Sequence, residues 1–322
     1  MKHFLCSWED GDRILHKLFL TFDVEDFIND RSLDALERIL SILKARRKNA
    51  LFFITGHMAE KLIRFPKIVE LLGEHEIGYH STSHSVHPTI IEYTDVQSYD
   101  EAYEKSLARE TAHINPLSGT AEGKGGIESL KELFPDKSIG SFRAPGFAWS
   151  PPHLDAMVHL GLKYDFSTNL SVIPVNHQGI TFFPYPAFVD SVRFWDFWRS
   201  VRKDEVIVLD FHPNFLVNRD WWDSIFWGKT NPQELSDVAP QDRGQTEHMF
   251  RRFGMLLRIA GSLQRLGLAE LTNEPQASAT ELDSAKVDVE KVYAAMVTWP
   301  RERFGYEPRF IRSHLVRFLE SS

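Results

Sequence analysis

Short apolar runs alternate with helical patterns along most of this chain, and that alternation limits its architecture more than any other feature. Leu18-Phe19-Leu20-Thr21-Phe22 reads as a strand, and residues 31–47 then carry Leu33, Leu36, Ile39, Leu40 and Leu43 at helical spacing. Leu51-Phe52-Phe53-Ile54-Thr55 predicts a second strand closed by Gly56, and residues 58–73 a second helix ending near Gly73. Ile77-Gly78-Tyr79-His80 is a weaker third strand, followed by a helical pattern over 96–113. Further strands are expected at 139–143, stopped by Pro145, at 162–166 and at 206–211, with helices over 151–160 and 244–266. Repeated strand–helix units imply a parallel sheet with right-handed crossovers. An open doubly wound sheet and a closed barrel both satisfy the pattern. Polar residues at the C-terminal ends of several strands favour a (β/α) barrel, whose single rim collects them. No glycine-rich phosphate fingerprint follows the first strand.

Three segments stand outside this rhythm. Residues 117–126 are rich in glycine and are expected to form a mobile loop. Residues 215–240 hold Phe215, Trp221, Trp222, Phe226 and Trp227, an aromatic insertion that could line a groove, cover the barrel end or make a dimer contact. Residues 274–322 open as a polar linker and continue as helix. The expected division is therefore a barrel over 1–273 and a C-terminal helical extension over 274–322.

Composition excludes several classes. A net charge of −8 with no long basic block argues against a nucleic-acid partner. The single cysteine, Cys6, rules out an intramolecular disulfide and a cysteine-rich zinc site. Charges interrupt the first ten residues, so no signal-peptide core is expected, and the expected location is the cytoplasm. The many aromatic residues leave peripheral membrane contact open, and oligomeric state is not legible.

Chemistry concentrates at strand ends. His80 and His84 stand four residues apart, a spacing that lets both rings face one way on a helical turn and share a cation. The alternative is a helix N-terminus whose polar residues cap the backbone. Asp23, Glu25 and Asp26 crowd like charges, which is unfavourable unless a cation or shared proton relieves it. Two histidines and one carboxylate would leave a position open for water, a geometry suited to hydrolysis. Arg143, ahead of Pro145-Gly146, is either a fixed cation for a carboxylate or an ordinary surface arginine. His212 follows the buried run at 206–211 and precedes Pro213, which sets it on the rim, as a functional group or a satisfied structural histidine.

Taken in order, these pieces resemble the polysaccharide deacetylase family, the NodB-homology domain of carbohydrate esterases. Thr21-Phe22-Asp23-Val24-Glu25-Asp26 is similar to its T-F-D-D motif, and His80-Ser81-Thr82-Ser83-His84 matches H-[ST]-x-x-H. Arg143-Ala144-Pro145 matches R-x-P, with Gly146 at the aromatic position; Tyr164-Asp165-Phe166-Ser167 and Leu209-Asp210-Phe211-His212 resemble the last two motifs. The resemblance spans roughly residues 17–266 and implies a distorted (β/α) barrel. It implies Asp23 as general base, His80 and His84 as ligands of a divalent metal, usually zinc, and Arg143 as the partner of Asp23. It implies the Gly146 N–H in the oxyanion hole and His212 as general acid oriented by Asp165. Val24 replaces the family's third metal ligand, so Glu25 is favoured there, with Asp26 as competitor. The fourth motif lacks its tryptophan, and two residues, not one, separate leucine from histidine in the last. The implied reaction is removal of an N-acyl group, chiefly acetyl, from an amino sugar in a polysaccharide, oligosaccharide or lipid-linked glycan. Alternatives are a metal-free cyclic amide hydrolase of the allantoinase-like branch, a deformylase of a lipid-linked aminosugar, and a non-catalytic carbohydrate-binding protein.

Overall fold

A computed structural model of the chain describes residues 16–188, 190, 206–273, 275 and 278–321. Residues 1–10, with Cys6, lie outside the described residues. The strands are β1 (His16–Val24), β2 (Leu51–Ile54), β3 (Glu76–Tyr79), β4 (His113–Ile114) and β5 (Ala121–Glu122). Then come β6 (Ser141–Phe142), β7 (Tyr164–Asp165), β8 (Val175–His177), β9 (Ile180–Phe182) and β10 (Ala187–Phe188). The series ends with β11 (Val206–Phe211), β12 (Ala269–Thr272) and β13 (Thr280–Glu281).

Among the described residues the main sheet has 11 strands in the order β10-β11-β1-β2-β3-β6-β7-β9-β8-β13, with β12 added to β1. All its pairings are parallel except β8 with β9, and the sheet curls into a half-barrel with open edges. β1 is the axis: β11 runs along Lys17 to Phe22, β12 pairs with its first half and β2 with its second. β4 and β5 form a separate antiparallel hairpin. The stretch 117–126, expected as a loop, therefore contains a strand, because Asn115 and Thr120 close the hairpin by backbone hydrogen bonding at 2.9 Å.

The two-residue period of a strand sorts β1 onto two faces. Leu18, Leu20, Phe22 and Val24 pack outward against the helices in the main core. Phe19 points into the half-barrel, where it joins Leu51, Phe53, Val206 and Val208 in a second apolar cluster. Thr21 and Asp23 continue that inner row upward, so the interior changes from apolar to polar along the strands. Gly78 of β3 lies against this row, and a Cβ there would come within 2.7 Å of the Phe53 ring.

Helices Arg31–Arg46 and Arg243–Arg265 bury the leucine and phenylalanine stripes expected of them. The helix expected over 58–73 divides into Gly56–Leu62 and Pro66–Leu72, because Pro66 lacks an N–H and starts a new first turn. The pattern over 96–113 resolves into Tyr99–Glu110, with a separate turn Ile90–Thr94 before it. At the C-terminus, helices Val289–Phe304 and Ile311–Glu320 send Met296, Val297, Leu315 and Phe318 into the main core. No helix among the described residues is long and apolar enough to cross a membrane.

Beneath the segment that follows β3, buried Glu110 accepts from Tyr79 Oη at 2.5 Å, Thr82 N at 2.7 Å and Tyr93 Oη at 3.1 Å, and pairs with His153 Nε2 at 3.0 Å. Replacing one partner strands the others away from water. Glu110→Ala is expected to lower unfolding free energy by roughly 3–5 kcal/mol, read by urea denaturation; a loss no larger than a surface substitution would sink this account.

Candidate active site

The site collects groups from the C-terminal ends of parallel strands. Asp23 lies at the end of β1 and Glu25 just past it, His80 follows β3, Arg143 follows β6 and His212 follows β11. Every one is buried. Strand alternation explains the choice among the three acids: Asp23 and Glu25, two residues apart, share the inner face, while Val24 between them packs outward. Asp26 is turned away from the histidines. It accepts from Asn29 Nδ2 and Ser32 Oγ, both at 2.5 Å, and from Ile28 N at 3.1 Å, so it organises the entry to helix Arg31–Arg46.

Residues 80–84 are not helical, contrary to the spacing argument. Ser81 and His84 adopt left-handed backbone, with φ of 62° and 50°. Such positions cost of order 1–3 kcal/mol each and persist only where the surroundings enforce them. Here Gly56 N and His57 N donate to Ser81 O and Thr82 O at 3.0 Å, and Glu110 receives Thr82 N at 2.7 Å. The tight turn still brings the two imidazole centroids within 5.3 Å.

Three donor atoms converge. Glu25 Oε2 lies 3.1 Å from His80 Nε2 and 2.9 Å from His84 Nε2. His80 Nδ1 is 2.8 Å from Arg143 O, which can only accept, so Nδ1 carries the proton and Nε2 presents its lone pair to the site. Ser85 Oγ donates to Asp223 Oδ2 at 2.6 Å and is therefore free to accept from His84 Nδ1, also at 2.6 Å. Trp222 Nε1 donates to Glu25 Oε1 at 2.8 Å and fixes the carboxylate. The donor set of two imidazole nitrogens and one carboxylate oxygen, with outer partners holding each ring's tautomer, fits a divalent cation with open positions left over. Burial alone would raise the Glu25 carboxyl, but His84 and His80 hold it well below its ordinary value.

A second charged group adjoins the first. Arg143 is fully buried, with its guanidinium 4.3 Å above the Phe53 ring. Its Nη1 donates to Asp23 Oδ1 at 2.7 Å and to Asp210 Oδ1 at 2.6 Å, and Nη2 donates to Thr21 Oγ1 at 2.8 Å. Asp23 Oδ2 is left between two imidazoles, 3.7 Å from His80 Nε2 and 3.5 Å from His212 Nε2. Burial pushes the Asp210 carboxyl up to about 7 against the pull of Arg143.

Asp165 does not orient His212. Its carboxylate accepts from Ser167 N at 2.9 Å and Ser167 Oγ at 2.8 Å, and Ser167 Oγ in turn receives Ala144 N at 2.7 Å. Asp165 therefore braces the turn after Arg143. The partner of His212 is Asp190, whose Oδ2 stands 2.6 Å from Nδ1. Burial alone would depress the His212 pKa, but Asp210 and Asp190 raise it well above the ordinary value, which favours imidazolium. Asp190 follows β10 without any local signal, so sequence reasoning missed it. Asp210 could have been found, since it lies two residues before His212 on one strand face.

Gly146 takes a left-handed conformation at φ 55° and lines the pocket beside Phe147. Tyr185, Trp221, Trp227 and Trp299 complete an aromatic surround to a cavity of about 210 Å³ that reaches Asp23, Glu25, His80, His84 and His212. Trp221 and Trp227 come from the aromatic insertion, whose Trp222 packs underneath. Trp299 comes from the C-terminal extension and was not singled out by the sequence.

Fold and site together define an α/β half-barrel protein with a carboxylate–histidine centre at the C-terminal mouth of its sheet. Residues 11–164 match the family described as polysaccharide deacetylase. Members of the family generally use a divalent metal. The chain is also similar to a candidate polysaccharide deacetylase from Mycobacterium smegmatis, at 16% identity, with 84% of this chain and 97% of that one covered and a TM-score of 0.45. A family 4 carbohydrate esterase from Bacillus anthracis matches at 15% identity, covering 88% and 86% of the two chains with a TM-score of 0.38. A mutant of the Bacillus anthracis family 4 pseudoenzyme BA3943, with restored enzymatic activity, matches at 16% identity, covering 84% and 71% with a TM-score of 0.43. No curated protein sequence matches the chain significantly.

Proposed function

We propose that this protein is a cation-dependent hydrolase that removes an N-acyl group, acetyl above all, from an amino sugar. The observation that carries the reading is Asp23 Oδ2, poised 3.7 Å from His80 and 3.5 Å from His212 beside the Glu25–His80–His84 donor set. The residues that would hold the cation are these three, and a borderline N,N,O set suits zinc. When bound, the cation supplies Lewis-acid polarisation of the acyl oxygen and acidifies water, in well-tuned zinc sites to a pKa of about 7.

The chain's own residues do the rest. Arg143 engages Asp23 Oδ1 and leaves Oδ2 to accept the proton of attacking water. The new C–O bond forms as the carbonyl oxygen gains charge, and the Gly146 N–H meets that charge. His212, held protonated, donates from Nε2 to the amide nitrogen as the C–N bond breaks, so a neutral amine leaves beside a carboxylic acid, whose proton then returns to the His212 imidazole as the acid ionises. Without that proton the amine would depart as an anion, a very poor leaving group. The aromatic walls suit the CH faces of a sugar ring.

The test is release of acetate or formate from a panel of N-acylated amino sugars, with zinc and with chelator. Zinc-dependent release is expected; release that survives chelation supports the allantoinase-like alternative, and binding without release supports the non-catalytic one. A pH profile probes the acid. Activity needs protonated His212, so it holds below that group's folded pKa and is lost above it. Asp190→Asn removes a charge that raises this pKa, so the alkaline limb of kcat/KM should move to lower pH. A limb that stays in place would separate Asp190 from the proton transfer.

A further inference from the structure

Helix Val289–Phe304 turns one face to the cavity: Ala295, Thr298, Trp299, Glu302 and Arg303 fall at helical spacing and all line it. Arg303 is half-buried, and its guanidinium lies 3.9 Å above the centre of the Trp227 ring. The stack is held from both sides. Gly228 N donates to Arg303 O at 2.9 Å, which ties the aromatic insertion to the helix, and the Trp227 indole N–H donates to Asp223. Asp223 also receives Ser85 Oγ at 2.6 Å, so the stack is continuous with the groups that hold His84.

The other arginines nearby are engaged. Arg143 meets Asp23 and Asp210, Arg301 meets Glu307 at 2.8 Å, and Arg312 meets Glu290. Among the described residues no acid pairs with Arg303. Glu302 lines the same cavity but stands in solvent, where water and salt screen it. A guanidinium lying on an indole uses its face and keeps its in-plane N–H donors, a fork that fits an oxyanion through two parallel bonds. We propose that Arg303 is an anion-recognition site, so that the amino sugar taken here carries an oxyanion, a phosphate ester or a carboxylate, bound beyond the Trp227 ring. This rests on the N-acyl hydrolase reading for the amide end alone, since binding of the anion is read without turnover. It gives the C-terminal extension a part in substrate choice.

The experiment measures kcat/KM of the zinc-loaded full chain for the anomeric phosphate of N-acetylglucosamine, for N-acetylmuramic acid and for the neutral methyl glycoside of N-acetylglucosamine. Arg303→Gln and Arg303→Met are run beside the parent; both keep an unbranched stem over the indole and remove the charge. Hydrogen bonds to charged groups are worth roughly 10–100-fold. The parent should therefore favour at least one anionic sugar over the neutral one by about tenfold or more, and both variants should lose that preference. The phosphate and carboxylate arms show which oxyanion is taken. Because an oxyanion also ligates zinc, the same sugars are titrated by calorimetry into chelated protein, where the affinity gain over the neutral glycoside should persist in the parent and vanish in both variants. Equal handling of neutral and anionic sugars by the parent, or a preference that survives in either variant, overturns the anion site and leaves the hydrolase reading standing. Absence of turnover for every sugar, with the affinity difference intact, overturns the hydrolase reading and leaves the anion site standing.

Discussion

Asp23→Asn is expected to lower kcat by about 10²–10⁴-fold, the usual worth of a positioned general base, while leaving cation content unchanged. The asparagine can still accept from Arg143 Nη1, and Asp210 retains its own bond to the same nitrogen at 2.6 Å. The fold and the donor set of Glu25, His80 and His84 therefore stay intact. What disappears is the second oxygen, Oδ2, with its capacity to take a proton between the two imidazoles. Initial rates alongside metal analysis separate this from a folding or loading defect. A variant that hydrolyses substrate at the parental rate would remove Asp23 from the chemistry altogether.

His80→Ala should abolish both activity and cation retention. Loss of an outer partner of a metal ligand typically costs 10–100-fold in affinity, so loss of a ligand itself should exceed about 10²-fold. A ligand that binds only the native state at 100 times its Kd stabilises by about 2.7 kcal/mol, so zinc should raise the melting temperature of the parent. The variant should melt at the same temperature with and without zinc, because one of its three donors is gone. Equal thermal response in parent and variant would place the cation elsewhere or show that none is bound here.

Alternation of strand and helix was legible because burial imposes periods of 2 and 3.6 on a sequence. β11 matches its apolar run residue for residue, and β1 exceeds its expected bounds only by flanking residues. Apolar spacing over 58–73 is continuous, and Pro66 nonetheless divides it, because a residue without an N–H starts a new first turn there. Spacing singles out the pair His80–His84, yet the segment between them is a turn with left-handed residues and not a helix. The turn is enforced by Gly56, His57 and Glu110, which are distant or unremarkable in sequence.

The site shows the same division. Glu25 stands with Asp23 because strand residues two apart share a face, and that rule is written in the order Asp23-Val24-Glu25. Motif position pairs Asp165 with His212, whereas Ser167 captures it locally. Asp190 and Trp299 carry no local pattern at all.

By itself, then, the sequence determined the parallel α/β architecture and most of the side chains that gather at the candidate site, since those follow from periodicity and short-range order. The tertiary structure alone decided which acid holds His212, that Arg143 is shared between Asp23 and Asp210, and that a tryptophan from the C-terminal segment closes the pocket. Those pairings join residues from 22 to more than 150 positions apart. The chain encodes them only through the curl of the sheet and the packing of helices on it, which no nearest-neighbour rule can read.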